Sequence, residues 1–335
     1  MRALLRLGAV FPALAGLAAC GAPAPDPAPP PAPAVKPAAA HPRLTADDAR
    51  KIGADELGRI PVLMYHRLSA NPKSVYERTP ADFAAELERL AAEHYVPVTV
   101  ADLTAGRLDL PAGAHPVVLT FDDGDPSVFT LTPQGHPMPG SAIGILFEVA
   151  ARHPGFRPVA SLYVNQRPFG DPDGARTLSW LHQHGFEIGN HTLEHTNLRT
   201  VSAAAVQDAI RAEASLIQKA VPGYTPTTLA LPYGTHPRQD GLAQHGDGYS
   251  YTGVLLVGAG PAPSPYSRRF DPGSIPRIRS QSTGKDADYG SAHWLDELAS
   301  PSGHRYTSDG DPTVVSYPRS DAALAPSYPK MSLAY

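Results

Sequence analysis

Cysteine is nearly absent. The 335 residues hold one, Cys20, so no disulfide can form within the chain. Long apolar runs are missing too. The opening stretch MRALLRLGAVFPALAGLAAC places Arg2 and Arg6 before a short, interrupted apolar segment, too brief for a transmembrane helix and laid out like a secretory signal. Nor is there an excess of positive charge: 28 Lys and Arg against 32 Asp and Glu leave a net charge of −4, which gives no basic field for capturing nucleic acid. What the chain does have is histidine. Its 14 His are ample material for metal binding or proton transfer, although most are expected to be ordinary surface or core residues.

The one cysteine ends LAAC, followed by Gly21, a pattern that looks like a bacterial lipobox. A free cysteine is commonly a small buried hydrophobe, but this one sits where the chain cannot reach a folded core. The expectation is a signal peptide at 1–19, then a lipidated Cys20 opening a tether over 20–44. Ala and Pro dominate that tether, which makes it an extended, semi-rigid spacer. A lipid there anchors and does not span. The folded domain is then 45–335, held outside the cytoplasm in a bacterial cell envelope.

Within the domain, short apolar stretches rich in branched side chains predict strands at Ile60 to His66, Val96 to Val100, Val117 to Phe121, Val159 to Val164, Phe186 to Gly189, Thr228 to Leu231, Gly253 to Val257 and Ile275 to Ile278. A polar helix is expected over Ala46 to Leu57. Thr79 and Pro80 open a second helix whose apolar face carries Phe83, Leu87, Leu90 and Ala91. Leu178 and Leu181 mark a third that stops at Gly185, and Val206, Ile210, Ala214 and Ile217 a fourth that ends before Pro222. Gly124 to Ser141 and Ala259 to Gly273 read as loops, and the polar, Tyr-rich last fifty residues as a wrap around the domain. Such alternation argues for a parallel α/β fold, and seven or eight strands favour a barrel over an open sheet.

Chemistry collects where strands end. The stretch VVLTFDDGD stops an apolar strand at Asp122 and Asp123, which in isolation is equally a hairpin turn. FEIGNHTLEH delivers His191 and His195, four apart, so that on a helical turn both imidazoles face one side and reach one metal. His66 closes PVLMYH, Tyr233 closes TLALPYG and Arg277 closes SIPRI. In a parallel barrel all these ends share one rim, where catalytic side chains are drawn.

TFDDG and HTLEH together resemble the first two motifs of the metal-dependent polysaccharide deacetylases of the NodB homology type, carbohydrate esterase family four. The resemblance spans roughly Ile60 to Arg279, and MYHRL and GNHT are similar to the poly-N-acetylglucosamine deacetylase branch. It implies an irregular (β/α)7 TIM-like barrel that removes acetyl groups from an N-acetylglucosamine polymer, or from acetylated xylan, with a divalent metal. Carried over, Asp123, His191 and His195 hold the metal; zinc suits such a set, and cobalt or nickel also fit. A three-ligand site of this kind lowers the pKa of a water towards 7. Asp122 is then the base, and the backbone N–H of Tyr233 an oxyanion donor. Two departures stand out. The arginine that opens the family's third motif is replaced by Ala230, leaving Arg277 or Arg279 to reach Asp122. The late Leu-x-His acid has no match, and in the branch with permuted motif order the histidine ending the first strand takes that role, which is His66 here. Trp294 is a candidate wall for the acetyl or sugar pocket, with core packing as its rival.

Two other readings compete. HTLEH also fits the H-x-x-E-H pattern of inverted zinc peptidases, with Glu194 as base, but that leaves FDDG idle. A glycan-binding protein that kept the barrel and lost turnover is the other, supported by the missing arginine.

Overall fold

The computed structural model describes residues 44–284, 286–321, 324–328 and 331–335. The expected signal segment, Cys20 and the tether up to residue 43 lie outside the described residues. All eight expected strands form: β1 Val62–Tyr65, β2 Tyr95–Val98, β3 His115–Phe121, β4 Ser161–Val164, β5 Glu187–Asn190, β6 Thr228–Ala230, β7 Gly253–Ala259 and β8 Ile275–Arg279. Seven of them close into a parallel barrel in the order β1-β8-β7-β6-β5-β4-β3, with β3 returning to β1 from Val62↔Val118 to Tyr65↔Phe121. The ring is irregular. β5 meets β6 at Asn190↔Leu229, and the register between β7 and β8 shifts between Leu255 and Ala259. β2 stays outside the ring and pairs with the first half of β3, His115 to Val118.

Alternation along β3 aims the site. Leu119 and Phe121 join a core cluster with Leu63, Leu162 and Ile188 and with helix residues Phe83, Leu87, Leu146, Val149 and Leu178. Val118 belongs to the opposite cluster, with Val62, Tyr163, Ala230, Leu255 and Ile275. Thr120 and Asp122 continue the row of Val118, so the barrel interior turns polar towards the strand ends.

The surrounding helices are α1 Pro80–Ala92, α2 Ala142–Arg152, α3 Ala175–Gln183, α4 Ala203–Ala220 and α5 Ser291–Ala299. In α1, Thr79 Oγ1 accepts from the Asp82 N–H at 3.0 Å and Pro80 occupies the first turn. Phe83, Leu87 and Leu90 are fully buried, each contributing about 1.5–3 kcal/mol. The first polar helix is shorter than expected, Ala46–Ile52, because Gly53 caps it in the left-handed region (φ 71°). α2 and α5 carried no helical expectation. Nor did the turn Val100–Thr104, whose first N–H groups bond Ser161 Oγ and Glu187 Oε2 at 2.9 Å. The closing segment does wrap the barrel: Thr307 bridges Asp55, Arg305 bridges Arg59, and Tyr306 Oη donates to buried Glu56 at 3.1 Å. Among the described residues no helix is long and apolar enough to cross a membrane.

One buried group carries a stability prediction. Glu213 on α4 is fully buried, neither carboxyl oxygen has a hydrogen-bond partner among the described residues, and burial pushes it up to about 8. A folded value above the unfolded one means that its contribution is fully present below about pH 4.5 and is lost as pH rises through about 8. Glu213→Gln therefore gains stability over the parent at pH 9, on the order of 2–4 kcal/mol, and little at pH 4.5. Thermal melts of both proteins across that range check this. A pH-independent difference contradicts it.

Candidate active site

Two consecutive left-handed residues split the paired carboxylates. Asp122 still extends the ladder, its N–H donating to Tyr65 O at 3.0 Å, but Asp123 (φ 73°) and Gly124 (φ 61°) turn the chain sharply. Gly124 is required there: its carbonyl accepts from Phe169, and a Cβ would come within 3.3 Å of the Pro168 Cα. Asp122 consequently lies 1 % exposed in the barrel mouth, while Asp123 faces the two histidines.

His191 follows β5 and hangs from β4 through its N–H to Val164 O. Its Nδ1 lies 2.7 Å from Ala230 O, so this nitrogen is the donor and Nε2 keeps its lone pair for a ligand. That Nε2 is 3.5 Å from Asp123 Oδ1, and His195 Nε2 is 3.8 Å from the same oxygen. The ligand atoms of Asp123, His191 and His195 all fall within 4.8 Å of one another, the convergence needed by a cation bound at about 2.0–2.2 Å to each. The residues fit a divalent metal: two imidazoles, one with its tautomer fixed, and one carboxylate. Burial alone would raise Asp123, yet its bond to His191 keeps it below the usual carboxylate value.

The histidines do not stand on a helix, as their spacing suggested. HTLEH is a turn with Thr192 (φ 59°) and His195 (φ 50°) in the left-handed region. Buried amides hold it there. Asn165 Nδ2 donates to the carbonyls of His191 (3.0 Å) and Thr192 (2.9 Å), while Asn190 Oδ1 accepts from the Thr192 N–H at 2.8 Å. Asn190 is anchored in turn, its Nδ2 donating to Ile210 O and Tyr251 Oη at 2.8 Å each. Asn165, Asn190 and Tyr251 were not among the expected site residues. Yet Asn165 directly follows β4, as Asp122 follows β3, so the strand-end argument applied to β4 would have found it.

The arginine beside Asp122 is Arg277, not Arg279. Fully buried, it grips both carboxylate oxygens at 2.7 Å, donates Nε to Leu256 O at 2.6 Å and reaches Thr120 Oγ1 at 3.2 Å. Burial would raise Asp122, but Arg277, then His191, hold it far below the ordinary carboxylate range. Arg279 turns instead to Gln281 Oε1 (3.0 Å) and Asp286 (3.7 Å).

His66 closes β1 across the mouth, Nε2 3.9 Å from Asp122 Oδ2, with its ring 4.8 Å from Tyr76. Burial lowers its pKa although Asp122 and Asp123 oppose that. Tyr233 sits on the turn after β6, mostly exposed, its ring 4.6 Å from His195. His66, Tyr76, Asp122, Asp123, His191, His195 and Tyr233 border one cavity of about 310 Å³. Trp294 lies outside it, beside a neighbouring cavity, and Glu194 is exposed and takes no part in the ligand cluster.

Residues 159–251, which contain Asn165, the histidine pair and Tyr233, match the family model described as polysaccharide deacetylase. That stretch is similar to the polysaccharide deacetylase family. No curated protein matches the chain. Among solved structures, this chain is similar in fold to the Streptococcus pyogenes deacetylase PplD in complex with acetate (TM-score 0.53, 19 % identity, 71 % of this chain and 97 % of that one). IcaB from Ammonifex degensii aligns with a TM-score of 0.48 at 19 % identity, over 67 % of this chain and 92 % of its own. The Bacillus anthracis protein BA0330, described as a putative polysaccharide deacetylase, aligns at 0.49 and 18 %, over 66 % and 64 %. The family match lies after the FDDG stretch, so Asp122, Asp123 and His66 stand on geometry alone.

Proposed function

We propose that this deacetylase removes N-acetyl groups from an N-acetylglucosamine polymer with the help of a divalent cation, zinc by preference, held by Asp123, His191 and His195. The observation that carries the reading is the convergence of those three side chains beside a buried carboxylate, with Asp122 Oδ2 4.0 Å from His191 Nε2. When bound, the cation supplies Lewis acidity and makes a water a usable nucleophile near neutral pH.

The chain's own groups do the rest. Asp122, fixed by Arg277 and ionised, accepts the proton of the attacking water. Ala230 O holds the His191 tautomer, so the ligand nitrogen needs no rearrangement. The Tyr233 N–H donates to the oxygen that becomes negative as the amide carbonyl turns tetrahedral. His66, whose Nε2 lies 3.9 Å from Asp122 Oδ2, gives its proton to the departing amine, and the cavity that both border takes the acetamido group. The reading includes an envelope setting with lipid on Cys20; palmitate labelling that survives Cys20→Ala would remove that anchor.

A glycan-binding protein without turnover remains the rival, but the grip of Arg277 on both Asp122 oxygens weakens the argument from the missing arginine, which was its main support. The purified protein is expected to release acetate from at least one of acetylated peptidoglycan, chitin oligomers and poly-N-acetylglucosamine, to lose that activity with chelator, and to regain it with zinc. Sugar binding with no acetate from any of them favours the rival.

A further inference from the structure

Among the described residues, the large hydrophobic side chains most open to solvent are Val75, Tyr76, Met138, Tyr233 and Tyr289. Three of these are tyrosines, and their positions are related. Tyr76 and Tyr233 border the catalytic cavity, and Tyr289 borders a second one of about 280 Å³ with Met64, Gly260, Arg279 and Trp294. Val257 is a wall of both, so the two cavities adjoin. Arg279 links them: it lines the second cavity, and its guanidinium lies 5.6 Å from the centre of the Tyr76 ring. Trp294 lies against Gly260, where a Cβ would come within 2.9 Å of the indole, and the Arg59 guanidinium sits 5.9 Å from its ring centre. The indole is thereby set in one orientation, while Tyr289 is 71 % exposed.

A cavity that pairs aromatic surface with a guanidinium suits a pyranose, whose C–H face packs on rings while its hydroxyl and acetamido edges accept from cations. Resting on the function proposed above, we infer that this second cavity is a subsite for the sugar adjoining the one being deacetylated. The polymer then crosses from Tyr289 to the metal cluster, and the protein reads a chain and not a terminal sugar. The occupant is the next residue of the same glycan. No part of the reaction requires this cavity, which makes its contribution one of chain-length preference.

The test uses the full protein and Tyr289→Ala, an exposed substitution, with β-1,4- and β-1,6-linked N-acetylglucosamine dimers and pentamers. Binding to the metal-stripped proteins is read by tryptophan fluorescence, and kcat/KM for acetate release by the zinc-loaded ones. The parent is expected to favour one of the pentamers over its dimer by about tenfold, and Tyr289→Ala to lose most of that ratio in both readouts without a change in Tm. An unchanged ratio in Tyr289→Ala, or no pentamer preference for either linkage, overturns the subsite. Tyr289-dependent pentamer binding without acetate release would keep the subsite and sink the deacetylase reading; acetate release indifferent to Tyr289 would do the reverse.

Discussion

Asp122→Asn is expected to lower kcat for acetate release by about 10²–10⁴-fold while zinc affinity stays within a few-fold. Asparagine has nearly the shape of aspartate and still offers one oxygen to Arg277, but it cannot take a proton from water. Because Asp122 is not among the three clustered ligand residues, the metal set remains complete. Asp123→Asn is the contrasting case, since it removes the ligand charge and weakens zinc binding first. Stopped acetate assays alongside zinc titrations of both variants separate the roles. If Asp122→Asn keeps full turnover, or loses its metal as Asp123→Asn does, the division of labour between the adjacent carboxylates is wrong.

Arg277→Met has the second large effect, on stability. It leaves a carboxylate 1 % exposed with both its guanidinium bonds gone, and breaking such a buried pair costs about 3–5 kcal/mol. The pH dependence should also invert. In the parent, Asp122 is depressed by Arg277, so its contribution is present above the ordinary carboxylate value and lost as pH falls towards the folded one. Without the arginine, burial raises Asp122, and the variant becomes less stable as pH rises above the ordinary carboxylate value. The double variant Asp122→Leu/Arg277→Met should recover much of the loss, because no charge is left buried alone. Denaturant unfolding at pH 5 and 8 of the single and double variants decides. A single variant as stable as the parent at pH 8 would show that the pair does not govern the ionisation of Asp122.

The strands were legible because a parallel sheet covered on both faces needs continuous apolar runs, and this chain supplies eight of them in tidy form. Which strands close the ring was not, since β2 is as apolar as the others and only its pairing along the start of β3 puts it outside. α2 was missed because AIGILFEVAAR is apolar around most of its circumference and carries Gly144, whose missing side chain lets Met138 O approach. The choice between Arg277 and Arg279 could not be made from alternation, because both fall on the same face of β8. Depth distinguishes them: Arg277 is fully buried, whereas Arg279 lies at the strand end and is partly exposed. The spacing of His191 and His195 anticipated that their side chains converge, but through the wrong backbone. Two non-glycine left-handed residues, Thr192 and His195, shape that turn, and their identities do not announce it; Asn165 and Asn190 enforce it from neighbouring strand ends.

Coordination at the metal is the most direct measurement. X-ray absorption of protein loaded with one equivalent of zinc should show two imidazole nitrogens and carboxylate oxygen at about 2.0–2.2 Å, with one imidazole lost in His191→Ala and one in His195→Ala. A zinc shell unchanged by both substitutions, or a protein that deacetylates equally well after complete removal of its metal, would contradict the account.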